Sequence, residues 1–271
     1  MGNCIPVAAQ RRAQLRSTFI LSTGRTGTMF ISWFFDRYAA NAQALHEPFP
    51  NLRDVALQFA YGHVTQARTV RRLRRARHHW VRCQGNRLVY LESNNRIWSL
   101  VPALRIVFPG CRIVHLIRDG RSFVPSAMVH RGGWFGPDDR VPRLEATGLP
   151  SDPYGGRWCT MSQVEKCAWL WQKQNRRIAA SLEGLDDVYT MRFEDLFSPE
   201  KRSGHLGRLI EIVGADVGLS DDELNRVAAT RRNASGQAAG HRYIWTTADW
   251  DRFIAIAGDL MRLFGYDTSR P

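Results

Sequence analysis

Between Ser17 and Tyr38 a short β-forming run, Thr18-Phe19-Ile20-Leu21, passes through the loop Ser22-Thr23-Gly24-Arg25-Thr26-Gly27-Thr28 into an apolar-periodic stretch beginning at Met29. Strand, glycine loop and helix in immediate succession constrain the fold more than any other feature of the chain. The unit recurs. Arg112 to Ile117 is a second β-type run that ends at Arg118-Asp119-Gly120 and leads into a helical stretch from Arg121 to His130. Asp187 to Arg192 is a third, preceded by a long helical stretch from Met161 to Leu182 and followed by Phe193-Glu194-Asp195-Leu196. Strands separated by helices predict an α/β fold, a central parallel sheet flanked by helices, with ligands collecting at the carboxyl ends of the strands. A length of 271 residues with 44% hydrophobic content suits one large domain. We place it at residues 17–271, with 1–16 as an N-terminal extension.

Several classes are disfavoured at once. No stretch has the unbroken apolar length that spanning a bilayer needs, and Arg11, Arg12 and Arg16 are not followed by the apolar core of a signal peptide, so a cytoplasmic protein is expected. The opening Met1-Gly2-Asn3-Cys4 invites a lipidation reading, but Pro6 stands where the myristoylation pattern wants Ser or Thr. Cys4, Cys83, Cys111, Cys159 and Cys167 are odd in number and lack metal-ligand spacing, so reduced thiols and no metal site are expected. The net charge of +13 is carried by arginine, with lysine only at 166, 173 and 201. Guanidinium forks suit phosphate and sulfate, so the charge favours anionic ligands. Nucleic acid, an acidic membrane, a nucleotide and a sulfated polymer would satisfy it equally.

Two stretches depart from the repeating unit. Residues 131–160 are rich in Gly and Pro and too long for an ordinary connection, which predicts a lid or an acceptor-binding loop. Residues 68–79 predict a helix with a basic face carrying Arg71, Arg72, Arg74, Arg75 and Arg77, a solvated face unless it lines an acceptor cleft.

The chemistry-bearing residues lie in the first two units. A strand ending in Gly24-Arg25-Thr26-Gly27-Thr28 and opening a helix directs backbone N–H groups and the positive end of the helix dipole at an anion. Thr26 and Thr28 add hydroxyls and Arg25 a charge; an ordinary glycine turn is the bland alternative. A nucleoside triphosphatase loop would need a lysine beside Thr28, and there is none. Arg118 ends the second strand and Ser126 follows eight residues later, so that a guanidinium and a hydroxyl can grip one phosphate from two sides.

Together these residues resemble the PAPS-dependent sulfotransferases, in the carbohydrate-type and bacterial branch. The family's 5'-phosphosulfate loop is matched by Arg25-Thr26-Gly27-Thr28-Met29, and its 3'-phosphate pair by Arg118 and Ser126. His46-Glu47-Pro48-Phe49 is similar to the family's "EP" segment, Met191 to Leu196 to its "R-[YF]-E-D-L" segment, and Leu263-Phe264-Gly265-Tyr266 to its closing "LGY". Phe30 stands where the cytosolic branch has an adenine-stacking Trp, and Glu92-Ser93-Asn94-Asn95 replaces a Lys-Thr-Pro motif. The resemblance implies a P-loop nucleoside-phosphate-hydrolase-like fold, PAPS as co-substrate and PAP as product, with no metal required. It implies cofactor contacts from Gly24, Arg25, Thr26, Gly27, Thr28, Met29, Arg118 and Ser126, with Arg242 either closing over the 3'-phosphate or belonging to a surface loop.

Sulfuryl transfer needs an acceptor oxygen in line with the breaking bond, a proton acceptor, and positive charge on the leaving phosphate. Arg25 suits the last task. The resemblance points to Glu47 as base and makes His46 the rival; without it, Glu47 reads as a surface carboxylate paired with an arginine. The expected acceptor bears a hydroxyl, on a glycan or lipid-linked glycan, acidic if the basic run lines the cleft. A nucleic-acid-binding module, which does not explain the pairing of Arg118 and Ser126 with the glycine loop, and a nucleotide-dependent phosphotransferase, which would need a magnesium ligand and a P-loop lysine that are not evident, are the alternatives.

Overall fold

Five parallel strands form one sheet in the order β2-β3-β1-β4-β5. The computed structural model describes residues 15–82, 87–130, 132–230 and 243–270. The strands are β1 (Arg16–Leu21), β2 (Ala42–His46), β3 (Val89–Ser93), β4 (Arg112–Ile117) and β5 (Val188–Arg192). β1 begins one residue before the expected domain boundary, because Arg16 already pairs with Val89. The helices between them are α1 (Thr28–Tyr38), α2 (Arg53–Ala60), α3 (Gln66–Arg82), α4 (Val101–Val107), α5 (Gly120–Met128) and α6 (Gln163–Leu182). After β5 come α7 (Phe193–Phe197), α8 (Arg202–Val213), α9 (Asp221–Ala229) and α10 (Thr247–Leu263).

Side-chain alternation along the strands divides the apolar residues between two layers. Phe19, Leu21, Ile113 and Ile117 face a layer that includes Leu73, Leu104, Phe123, Trp171 and Phe253, from α3, α4, α5, α6 and α10. Ile20, Val114 and Leu116 face the other way, onto Phe34, Leu209 and Leu224 of α1, α8 and α9. Both faces are covered, as an all-parallel sheet requires. α6 starts at a reciprocal capping box: the Ser162 hydroxyl accepts from Glu165 N–H and the Glu165 carboxylate accepts from Ser162 N–H. No described helix is long and apolar enough to cross a membrane.

Residues 132–160, expected to be a lid or an acceptor-binding loop, pack against the body of the domain. They contain only two short 3-10 turns, Ala146–Gly148 and Gly155–Thr160, yet Trp134, Leu144, Ala146 and Trp158 are buried in the main core. The Trp134 carbonyl accepts from the Gln163 amide at 3.0 Å and the Cys167 thiol at 3.7 Å, so α6 clamps the segment.

The basic run is likewise only partly what its sequence predicts. Arg71, Arg72, Arg74 and Arg75 are exposed on α3, but Arg77 is 1% exposed and forms an ion pair with Glu92, itself 0% exposed. The pair is bidentate, at 2.7 and 2.8 Å, and the remaining Arg77 amino group donates to the Pro50 carbonyl at 2.8 Å. Tyr90 and Asn94 donate to the same carboxylate, leaving neither charge unpartnered. Burial works against the Arg77 charge, but Glu92 outweighs it and holds the Arg77 pKa above its ordinary value.

Candidate functional site

The carboxyl edge of the sheet collects the ends of neighbouring strands. β1 ends in the glycine loop, β2 in His46 and Glu47, β3 in Asn94 to Arg96, and β4 in Arg118. Register puts Ile20, Ser93 and His46 level with one another, so these turns open on the same side. With β1 flanked by β3 and β4, the glycine loop lies where crossovers leave in opposite directions, the ligand crevice of an open α/β sheet.

The loop's conformation follows from its residues. Gly24 and Gly27 have φ of 87° and 75°, which a residue with a Cβ adopts only under strain. Space is short as well: a Cβ on Gly27 would lie 2.9 Å from Phe197, which would have to shift, and one on Gly24 a tight 3.2 Å from the Asn95 side chain. Ser22, which the sequence pattern does not single out, organises the turn. Its hydroxyl accepts from Gly24 N–H at 3.1 Å and from the Thr26 hydroxyl at 2.9 Å. Thr26 is 0% exposed and its hydroxyl donates to Ser22, so it helps to hold the loop's own shape. Thr28 opens α1 and is buried, whereas Met29 is 49% exposed. At the start of α1, the amides of residues 27 to 30 precede the first intrahelical bond, from Ile31 N–H to Gly27. Phe30, which stands where the cytosolic branch has an adenine-stacking Trp, packs into the core against Trp33, Phe34 and Phe197.

The two anion constellations are in direct contact. Arg25 donates through Nε to the Ser126 hydroxyl at 3.0 Å, and Arg118 donates through Nη1 to the Arg25 carbonyl at 2.6 Å. Both Arg25 and Ser126 thus join the loop to α5. Burial pulls the Arg118 pKa below its ordinary value; Glu194 opposes this, and the neighbouring Arg25 charge adds to the lowering. Its Nε is buried with no partner. Two guanidiniums this close, one with an unsatisfied donor, form a place where an anion relieves both repulsion and desolvation.

Several side chains fix Arg118. The Trp171 indole donates to its carbonyl at 2.8 Å, and its guanidinium lies 4.9 Å from the Phe193 ring centroid. Arg192 and Glu194 form no ion pair with each other. Glu194 accepts instead from Asp119 N–H at 3.0 Å and from the Tyr266 hydroxyl at 2.9 Å, while the Arg192 guanidinium stacks on the Tyr266 ring at 4.2 Å. The "R-F-E-D-L" segment and the terminal Tyr266 therefore position the end of β4.

On the other side of the loop, Glu47 has φ of 43°, a left-handed backbone that only the surrounding structure sustains, as does Arg25 at 58°. The Glu47 carboxylate meets Arg96 Nη2 at 2.6 Å. His46 donates through Nδ1 to the Ser93 carbonyl at 3.1 Å, since a carbonyl only accepts, which leaves Nε2 as the acceptor of a neutral ring. Burial is the main cause of its pKa lying below 6.5, with Glu47 and Ser93 opposing and Arg96 assisting. Arg242 lies outside the described residues.

No family model and no curated protein matches the chain in sequence. Solved structures do match in fold. A sulfotransferase domain from the curacin biosynthetic pathway aligns over 93% of this chain and 98% of its own, with a TM-score of 0.54 at 13% identity. The mouse sulfotransferase SULT7A1, solved in complex with PAP, aligns over 94% of this chain and 89% of its own, with a TM-score of 0.50 at 11% identity. By strand order, by the placement of the glycine loop and by these alignments, the chain has the sulfotransferase fold.

Proposed function

We propose that the protein transfers the sulfuryl group of PAPS to a hydroxyl of an acceptor and releases 3',5'-adenosine bisphosphate, PAP. The observation that carries this reading is the contact between the glycine loop and the Arg118–Ser126 pair, made through Arg25. The residues present fit the nucleotide: two guanidiniums, a serine hydroxyl, a buried Arg118 Nε and the amides at a helix start are suited to two phosphate-type groups. PAP in the SULT7A1 structure supports the same assignment.

When bound, PAPS supplies the activated sulfur–oxygen bond. Arg25 and the loop amides neutralise the charge that grows on the departing phosphate oxygen, and they do so from fixed positions, without reorganisation during the reaction. Arg118 and Ser126 anchor the 3'-phosphate. Glu47 takes the acceptor's hydroxyl proton while Arg96 holds its carboxylate in place, with the neutral His46 ring as the competing base. The acceptor is a hydroxyl-bearing molecule, a glycan or lipid-linked glycan.

The test is thermal stabilisation by PAP set against ATP with magnesium. A ligand at 100 times its Kd raises native stability by about 2.7 kcal/mol, and only PAP is expected to do so. Arg118→Ala should remove that stabilisation. If ATP with magnesium stabilises the protein and PAP does not, the sulfotransferase reading fails.

A further inference from the structure

No acidic residue occurs between Asp54 and Glu92, and Glu92 is buried against Arg77, so the outer face of α3 has no counter-charge of its own. Arg68, Arg71, Arg72, Arg74 and Arg75 are all exposed there, and the exposed His78 and His79 continue the face. None of these arginines pairs with a carboxylate among the described residues. Residues three or four apart are neighbours on a helix surface, so Arg68 crowds Arg71 and Arg72, Arg71 crowds Arg74 and Arg75, and Arg72 crowds Arg75. Each such pair of like charges works against the helix. At 100° per residue the arginines spread over about 160° of its circumference. The opposite stripe, Val70, Leu73 and Ala76, is buried in the core, which fixes the charged face in one orientation on the domain.

Charge alone would suit any polyanion. An apolar ring beside it narrows the choice. The last turns of α3 hold the segment that follows Glu47: the Trp80 indole donates to the Phe49 carbonyl at 3.0 Å, and Arg77 donates to the Pro50 carbonyl at 2.8 Å. These bonds pin the backbone on both sides of the Phe49–Pro50 peptide, yet Phe49 itself is 82% exposed. A ring held out in water by a fixed backbone fits the headgroup layer of a bilayer, where aromatic rings settle between polar and apolar regions. A sulfated polymer or the backbone of a duplex would match the arginines and leave the ring in water.

We infer that the outer face of α3, with Phe49 beside its C-terminal turn, docks on a bilayer surface of anionic phospholipid. The inference goes beyond sulfuryl transfer and does not depend on it. Phe49 is two residues from Glu47, so docking brings the headgroup layer to the edge of the candidate site.

The experiment mixes the full chain with sedimentable vesicles of phosphatidylcholine, with or without a third of phosphatidylglycerol, and measures the bound fraction at low salt and at ~1 M salt. Binding should require phosphatidylglycerol and be lost at high salt, because the charges lie in water and are screened. Each arginine near such a surface is worth about fivefold in affinity, so Arg71→Gln combined with Arg75→Gln should weaken binding about thirtyfold. Phe49→Ala should weaken vesicle binding about fivefold and leave retention on a heparin column unchanged. Melting temperature and PAP affinity should stay near wild type in all variants. Docking on a bilayer is overturned if the protein ignores the anionic vesicles, or if the double variant binds them as wild type does. It is also overturned if Phe49→Ala leaves vesicle binding unchanged while heparin or duplex DNA strips the protein from the vesicles, which would make a soluble polyanion the partner. Failure of the wild-type chain to bind PAP bears on the transfer reading alone.

Discussion

In the proposed transfer Glu47 and His46 are the two candidates for the acceptor's proton, and substitution separates them. A general base contributes about 10²–10⁴-fold to rate, so Glu47→Gln should lower kcat by that order while PAP affinity changes less than about twofold. His46→Gln, which retains an amide able to reach the Ser93 carbonyl, should cost under about tenfold. Initial rates with saturating PAPS and acceptor measure both. The pH profile offers a second check. Because the His46 pKa lies below 6.5, the ring is neutral above that pH and gains its proton only below it. A His46 base would therefore lose activity as pH falls through that lowered value, and would do so even in Glu47→Gln. A larger loss in His46→Gln than in Glu47→Gln would transfer the base role to the histidine.

At the level of elements, β4 and α6 are joined by a buried polar contact. His115 donates through Nε2 to Asn175 Oδ1 at 2.9 Å, and the Asn175 side-chain amide donates in turn to the Trp171 carbonyl, so His115 is fixed as a neutral tautomer. Its Nδ1 is buried without a partner, and burial lowers its pKa to about 4, with Asn175 opposing. The sign follows. Above pH 6.5 neither state takes a proton here; between 6.5 and about 4 the unfolded chain does and the folded one does not, so stability falls with falling pH across that window. The loss is about 3 kcal/mol by pH 4, and His115→Phe should flatten this part of the urea-derived stability profile. An unchanged profile would mean that the ring is hydrated or protonated in the native state.

The same scale shows what was legible in the sequence. β1, β4 and β5 stand out because compact β-forming runs meet glycine, charge or helix signals at their ends. β3 does not, because Glu92 interrupts the apolar run Leu88 to Leu91, and only the partner on α3 makes a buried carboxylate there tolerable. The part played by Ser22 is hidden for a related reason: it contributes to the loop's own hydrogen bonds, which no motif records. Trp169 and Trp171 of α6 are both buried, and their indole contacts to Asp152 and Arg118 depend on elements distant in sequence. Phe193, inside the "R-F-E-D-L" match, and Phe197, just past it, wall the glycine loop, and only the packing of α7 against the loop brings them there.

Across the whole molecule, a charge of +13 and a helix with no acidic residue between Gln66 and Arg82 would suggest that α3 is merely solvated. Helical phase qualifies this. Leu73, Arg77 and Trp80 recur at spacings of four and three, so Arg77 lies on the inward stripe and must find a counter-charge inside. Glu92 provides it on β3, and from Glu92 the framework continues through Asn94 to the turn that holds Arg96 against Glu47. One buried pair therefore ties the arginine helix to the candidate site. Removing one charge strands the other: Glu92→Gln should lower the unfolding free energy by about 3–5 kcal/mol, measured by urea denaturation. Removing both is expected to be milder, because no unpaired charge then remains in the core, so Arg77→Met with Glu92→Gln should recover part of that loss. If the double variant is no more stable than Glu92→Gln alone, the Arg77 charge was not the source of the penalty, and the framework must owe its stability to the Tyr90 and Asn94 bonds instead.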